Sequence, residues 1–198
     1  MSSPIFDHVP GMKRAAPLAS VQAAELTRER FFTDYMAQSR PVLIKGAVAH
    51  WPARTKWREP DYLKSRSGHH QVYYYPHENY SSQARQLRDQ VMIPLGKALE
   101  RLRAPETRIG FCGTATPVEV MDDLPGFSFL DKVPPAFFYP HIRYFLYRNA
   151  GTTWHYHPFD ETLMCQVIGA KQVGLVGLDN PHHRTLRDIF FREDYYED

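Results

Sequence analysis

Asn149-Ala150-Gly151-Thr152-Thr153-Trp154-His155-Tyr156-His157-Pro158-Phe159-Asp160-Glu161-Thr162-Leu163-Met164-Cys165-Gln166-Val167-Ile168-Gly169-Ala170-Lys171 is the stretch on which the reading of this chain turns. In an extended segment alternate side chains share a face, so His155 and His157 can reach one cation while Tyr156 faces away. Pro158 and Asp160 mark a turn, which returns Glu161 on the next strand. Two imidazoles and a carboxylate suit Fe(II), Mn(II), Ni(II) or Zn(II), and not Ca(II) or Mg(II).

Around this stretch the pattern is strand after strand. Residues 142–147, 152–157, 162–168 and 172–178 read as short strands parted by Asn149, Gly151, Pro158 and Gly169. Short strands at close spacing with tight turns predict a sandwich or jelly roll. About four strands are half of what a jelly roll needs, so the β-core is expected to be incomplete at the C-terminus. Its open edge then calls for cover from N-terminal strands near 42–45 and 71–75, or from a second copy in a homodimer.

The N-terminal half reads differently. Residues 1–19 form an extended arm, and 20–198 form a single domain. A helical signal begins at Ser20, with Leu26, Phe31, Phe32 and Tyr35 as its apolar stripe. It ends at Arg40-Pro41, because the residue before proline avoids the helical region. Residues 41–46 form a β-prone run closed by a glycine, and Trp51 and Trp57 are packing anchors. A short helix over 61–68 precedes a strand over 71–75, which Pro76 ends. The polar segment 77–90 reads as a mobile loop, a common place for substrate contacts. Leu95, Leu99 and Leu102 recur at helical spacing; a strand over 108–112 and a short helix over 118–124 follow.

Composition narrows the class. The 198 residues fit one domain with a real core. Lys and Arg number 24 against 22 Asp and Glu, for a net charge of +2, and no basic run signals nucleic acid. Cys112 and Cys165 make no Cys-x-x-Cys, which excludes a thiolate zinc site and a disulfide framework. No apolar run is long enough for a membrane span, and the N-terminus lacks a signal-peptide pattern. A soluble, cytoplasmic, reducing setting is expected. Of the ten histidines, the pairs His69-His70 and His182-His183 read as solvated.

Two separated blocks carry a family resemblance. Arg40-Pro41-Val42-Leu43-Ile44-Lys45-Gly46 with Trp51-Pro52 and Trp57 is one, and the stretch from Asn149 to Lys171 is the other. Together they resemble the JmjC-type, cupin-fold Fe(II)/2-oxoglutarate oxygenases, which include protein hydroxylases related to the HIF asparaginyl hydroxylase. The resemblance implies a double-stranded β-helix, mainly β with a helical N-terminal half. It implies His155 as the first iron ligand and position 157 as the second. It implies Lys171 as the partner of the distal carboxylate of 2-oxoglutarate, with Thr152 donating a hydrogen bond to the same group. A lysine on the strand after the metal strand supplies the point charge that role needs.

The chain departs from the family pattern in three places. Position 157 is His where the family has an acid. Glu161 stands where the family often has a small amide, and His-x-His with Glu four residues on resembles the metal motif of the wider cupins. The strand of the distal histidine is missing before Asp198, leaving His182 and His183 as the downstream imidazoles, a less favoured third ligand than Glu161. Three functions therefore stay open. The first is a JmjC-like oxygenase that hydroxylates a protein side chain or small molecule. The second is a metal-only cupin enzyme using His155, His157 and Glu161. The third is a catalytically impaired JmjC-like module for binding or dimerisation.

Overall fold

A computed structural model of the chain describes residues 15–59, 61–75, 79–80, 91–130, 142–152, 161–177, 179–181 and 184. At its centre is a four-stranded antiparallel sheet in the order β5-β3-β6-β7, formed by Val91–Pro94, Gln71–Tyr75, Gly110–Ala115 and Arg143–Arg148. The register places Tyr74 opposite Cys112 and Cys112 opposite Leu146; one residue on, Tyr75 opposes Phe111 and Phe111 opposes Tyr147. Period-two alternation then separates two faces. Val72, Tyr74, Cys112, Tyr144 and Leu146 share one, and Tyr75, Phe111, Phe145 and Tyr147 share the other.

The first face carries the core. Helix α4, Leu95–Arg103, lays Leu95, Ala98, Leu99 and Leu102 into the same buried cluster as Val72, Tyr74 and Cys112. These recur at three- and four-residue spacing, which makes one apolar stripe on a helix. Trp51, Trp57 and Leu63 join the cluster. Trp57 and Leu63 come from the short helical pieces α2, Ala53–Lys56, with its C-cap, and α3, Tyr62–Ser67. Arg148 on β7 closes the opposite end of α4. Its guanidinium donates to the Leu102 and Ala104 carbonyls at 2.6 and 3.0 Å, satisfying groups that a helix C-terminus leaves open.

One polar group lies inside this apolar core. Asp123, on the 3-10 helix Val118–Asp123, is 1% exposed. Its Oδ2 accepts from Trp57 Nε1 and from the Tyr62 hydroxyl, each at 2.9 Å, and its Oδ1 accepts from Lys56 Nζ at 2.7 Å. Burial pushes the carboxyl up, but the hydrogen bonds from Lys56, Trp57 and Tyr62 outweigh it and hold the group below its ordinary range. Two helical pieces, α2 with its C-cap and α3, are thereby fixed to one side chain more than sixty positions away.

A smaller N-terminal layer packs beside the core. Strands β1, Ser20–Gln22, and β2, Leu43–Lys45, run parallel. Leu26, Phe31 and Phe129 form the cluster beneath them. The helix expected to begin at Ser20 therefore starts later. Thr27 caps it, accepting from Arg30 N at 3.2 Å, and a single turn α1, Arg28–Arg30, continues as a π-helical stretch over Phe31–Met36. The capping threonine sets the start, which leaves Ser20–Gln22 free to pair with β2.

The other expected elements fare unevenly. The expected strands over 71–75, 108–112 and 142–147 share the central sheet, while that near 42–45 pairs with β1 instead. Segments 162–168 and 172–177 carry no ladder among the described residues, because a strand exists only where a neighbour takes its backbone donors and acceptors. Within segment 77–90, β4, Asn79–Tyr80, pairs parallel with β8, Gly151–Thr152; 81–90 lie outside the described residues. No helix among the described residues is long and apolar enough to cross a membrane.

Replacing Asp123 by Ala leaves the Trp57 and Tyr62 donors without their partner, and we expect a loss of about 2–4 kcal/mol in urea unfolding. The sign of the pH dependence follows from the depressed carboxyl. Its contribution is complete above the unfolded value of about 3.9 and drains away as pH falls through the lower folded value. An Asp123→Asn chain should accordingly show a flatter acid limb of stability than the parent.

Candidate functional site

The sheet face turned away from α4 is a floor of aromatic rings. The Phe111 ring centroid lies 5.5 Å from Tyr75, 5.7 Å from Phe145 and 4.8 Å from Tyr147. Cross-strand register places them there, since these residues all occupy the odd face of β3, β6 and β7. Gly113, opposite Phe145, completes the floor by leaving space: a Cβ there would collide with the Phe145 ring. Aromatic pairs of this kind add about 1 kcal/mol each beyond the area they bury.

Lys171 sits over one end of this floor. Its ammonium lies 4.5 Å from the centroid of the Tyr147 ring and 3.5 Å from the Tyr147 hydroxyl. A separation of 3.5 Å is the outer limit of a hydrogen bond, so the ring face contributes more of the contact. Burial pushes the Lys171 amine below its ordinary value. Among the described residues no carboxylate forms an ion pair with it. A half-buried ammonium beside a phenol is a fitting receptor for a ligand carboxylate, which would restore the favourable charge that burial removes. Tyr147 has no part in the sequence reading. The period of its strand was the available signal, because it puts residue 147 on the face that Lys171 reaches.

Thr152 lies on β8, where its backbone is paired with Tyr80. This pairing sets the polar segment beginning near residue 79 against the strand three residues before His155. The entry into that strand is fixed by Asn149, which takes a positive φ of 50° and donates from Nδ2 to the Arg108 carbonyl at 3.0 Å. Asparagine tolerates this left-handed geometry better than most residues. Glu161 is exposed, so its carboxylate is well solvated. His155, His157, His182 and His183 lie outside the described residues.

The structure does bring together a set that the sequence reading passed over. Nε2 of His70 lies 3.0 Å from each Glu119 carboxylate oxygen, and Nε2 of His69 lies 3.7 Å from one of them. The two rings are 4.3 Å apart, and the ligand atoms of all three residues fall within 4.8 Å of one another. The His70 ring, then the backbone N–H of Glu119 itself, hold this carboxyl below its ordinary range. The expectation that His69 and His70 are simply solvated is corrected for His70. Its partner lies 49 positions away, beyond the reach of any local pattern.

Cys112 is buried and Cys165 half-buried, and both are free thiols. Burial pushes Cys112 up to about 12 and Cys165 up to about 11, so neither offers a thiolate near neutral pH.

Comparison with known proteins identifies the family. The sequence profile of the cupin-like domain family matches residues 28–183, most of the chain. Similar curated proteins include two lysine-specific demethylases of Arabidopsis thaliana. JMJ30 is 38% identical over 78 residues, which cover 39% of this chain and 18% of that protein. JMJ32 is 44% identical over 34 residues, covering 17% and 10%. The matched segments thus span under a fifth of either relative's length.

Gly113 offers a direct check on the aromatic floor. Gly113→Ala forces the Phe145 ring out of its place, and overpacking of this kind costs about 1–3 kcal/mol. Urea unfolding should register that loss, and a Gly113→Ala/Phe145→Leu double variant should recover part of it because the colliding ring is gone.

Proposed function

The chain belongs to the JmjC-type cupin-like domain family, and from that premise we propose that it is an Fe(II)- and 2-oxoglutarate-dependent oxygenase. Its substrate is a protein side chain or a small molecule; the names of the two relatives make a modified lysine side chain a specific candidate. The observation that carries the reading is the Lys171 ammonium, half-buried over Tyr147 on the sheet face opposite the helices.

Iron and 2-oxoglutarate, when bound, supply the oxidising chemistry. The chain's own residues bind and orient. In this proposal His155, His157 and Glu161 furnish two imidazoles and a carboxylate, a donor set that suits Fe(II). Lys171 holds the distal carboxylate of 2-oxoglutarate, with Thr152 and the Tyr147 hydroxyl as hydrogen-bond donors. The aromatic floor beside Lys171 keeps water from the ammonium, which strengthens its attraction for an anion. The exposure of Glu161 limits its repulsion of the same anion, since a solvated charge acts through a high dielectric. Segment 79–80, paired beside Thr152, leads into the polar stretch that we propose contacts substrate.

Succinate formation measured with Fe(II), ascorbate and 2-oxoglutarate tests the proposal. We expect turnover that falls by about tenfold or more in Lys171→Ala, the loss of a charge-assisted contact. Affinity for 2-oxoglutarate should weaken as pH rises through the Lys171 value, which lies below the ordinary lysine value of about 10.4. Turnover indifferent to Lys171 contradicts the proposal. Metal binding without any response to 2-oxoglutarate would favour the metal-only cupin, and absence of both would favour a binding module.

A further inference from the structure

We propose that His69, His70 and Glu119 form a binding site for a divalent transition metal of the zinc class, built from residues other than those of the segment 155–161. The site lies at the corner between α3 and β3, facing the 3-10 helix that carries both Glu119 and Asp123.

The donor geometry supports it. Zn(II) bonds to nitrogen and oxygen ligands at about 2.0–2.2 Å, so neighbouring ligand atoms of a tetrahedral ion lie about 3.4 Å apart. The His70-to-carboxylate separations of 3.0 Å and the His69-to-carboxylate separation of 3.7 Å bracket that length. All three ligand atoms lie within 4.8 Å of one another, and side-chain rotation must close the remainder. Two imidazoles with one carboxylate match zinc, cobalt or nickel, and not the all-oxygen shells of calcium or magnesium.

The backbone beneath the donors is already fixed. Gly68 N donates to the Lys64 carbonyl at 2.9 Å and His70 N to the Ser67 carbonyl at 3.1 Å. From the other side, Leu95 N donates to the His70 carbonyl at 2.8 Å and Gly96 N to the Gly68 carbonyl at 2.9 Å. Glu119 is held through its own carbonyl, which accepts from Arg66 Nη2 at 2.8 Å. Both halves of the site are thus pinned before any ion arrives, which lowers the ordering cost of binding. His69 remains mostly exposed, with 72% of its side chain accessible, so an ion has a path in and water can complete its shell.

Binding there joins the α3–β3 corner to the helix of Asp123. Its consequence is stability: an ion that binds the folded chain and not the unfolded one raises the melting temperature by mass action.

The test uses the full chain, stripped with chelator and titrated with Zn(II) alone. A His155→Ala/His157→Ala chain removes both imidazoles of the ligand set proposed above. We expect it to retain one equivalent of zinc, with a melting temperature a few degrees higher in excess zinc. Adding Glu119→Gln should abolish both effects. The same Glu119→Gln change in the parent chain should lower the zinc stoichiometry by one equivalent, which keeps the test valid if the double histidine variant does not fold. Circular dichroism of the metal-free Glu119→Gln chain checks that it is folded. Zinc stoichiometry and melting shift unchanged by both Glu119→Gln and His70→Ala would overturn the proposal. So would a folded His155→Ala/His157→Ala chain that takes up no zinc.

Discussion

Asp123 is the point at which the helical layer is fastened to itself. A carboxylate at 1% exposure must have its oxygens paired, because an unpaired buried charge costs several kcal/mol. Here the partners are an indole, a phenol and an ammonium from residues 57, 62 and 56. Each partner also packs. Trp57 lies in the main core and meets Tyr144 of the sheet edge to face at 6.4 Å, while Tyr62 borders the same cluster. The carboxylate therefore selects one arrangement of α2, α3 and the 3-10 helix out of many that hydrophobic burial alone would permit. Hydrophobic contact is non-directional; three hydrogen bonds converging on one group are not.

With that layer fixed, the sheet divides its labour by parity. Val72, Tyr74, Cys112, Tyr144 and Leu146, at even positions of β3, β6 and β7, join the cluster that α4 packs into. Odd positions build the aromatic floor, and Lys171 reaches that side. The same register that buries Cys112 therefore turns Tyr147 toward the lysine. A one-residue slip would exchange the two sets, so stability and the proposed binding of an anion are governed by one alignment. Arg148 and Asn149 guard it at the end of β7, one by closing α4 and the other by turning the chain into β8.

Much of this was legible in the sequence, for reasons that are local. The spacing of Leu95, Leu99 and Leu102 is a helical stripe, and α4 follows it. Val72 and Tyr74 alternate with Gln71 and Tyr73, and β3 follows them. Trp51 and Trp57 are too large to leave in water, and both are buried. The family was legible because two blocks of chemistry-bearing residues stood at recognisable separation. What escaped depended on partners distant in the chain. Nothing near Ser20 announces pairing with Leu43, and a helical apolar stripe from Leu26 onward masked the short strand before it. His70 and Glu119 meet only because α3 and the 3-10 helix are packed together through Asp123. The resemblance implies Lys171 as a carboxylate receptor, a role that stays a proposal, and Tyr147 beneath it required the cross-strand register.

The central claim is that Lys171 recognises the distal carboxylate of a 2-oxo acid. Calorimetric titration of the Mn(II)-loaded chain with 2-oxoglutarate and with 2-oxobutyrate, which lacks that carboxylate, tests it most directly. 2-Oxoglutarate should bind at least about tenfold more tightly, as a charge-assisted contact of roughly 1.4 kcal/mol or more requires, and Lys171→Ala should remove the difference. Equal affinity for the two acids, or a preference that survives in Lys171→Ala, would contradict it.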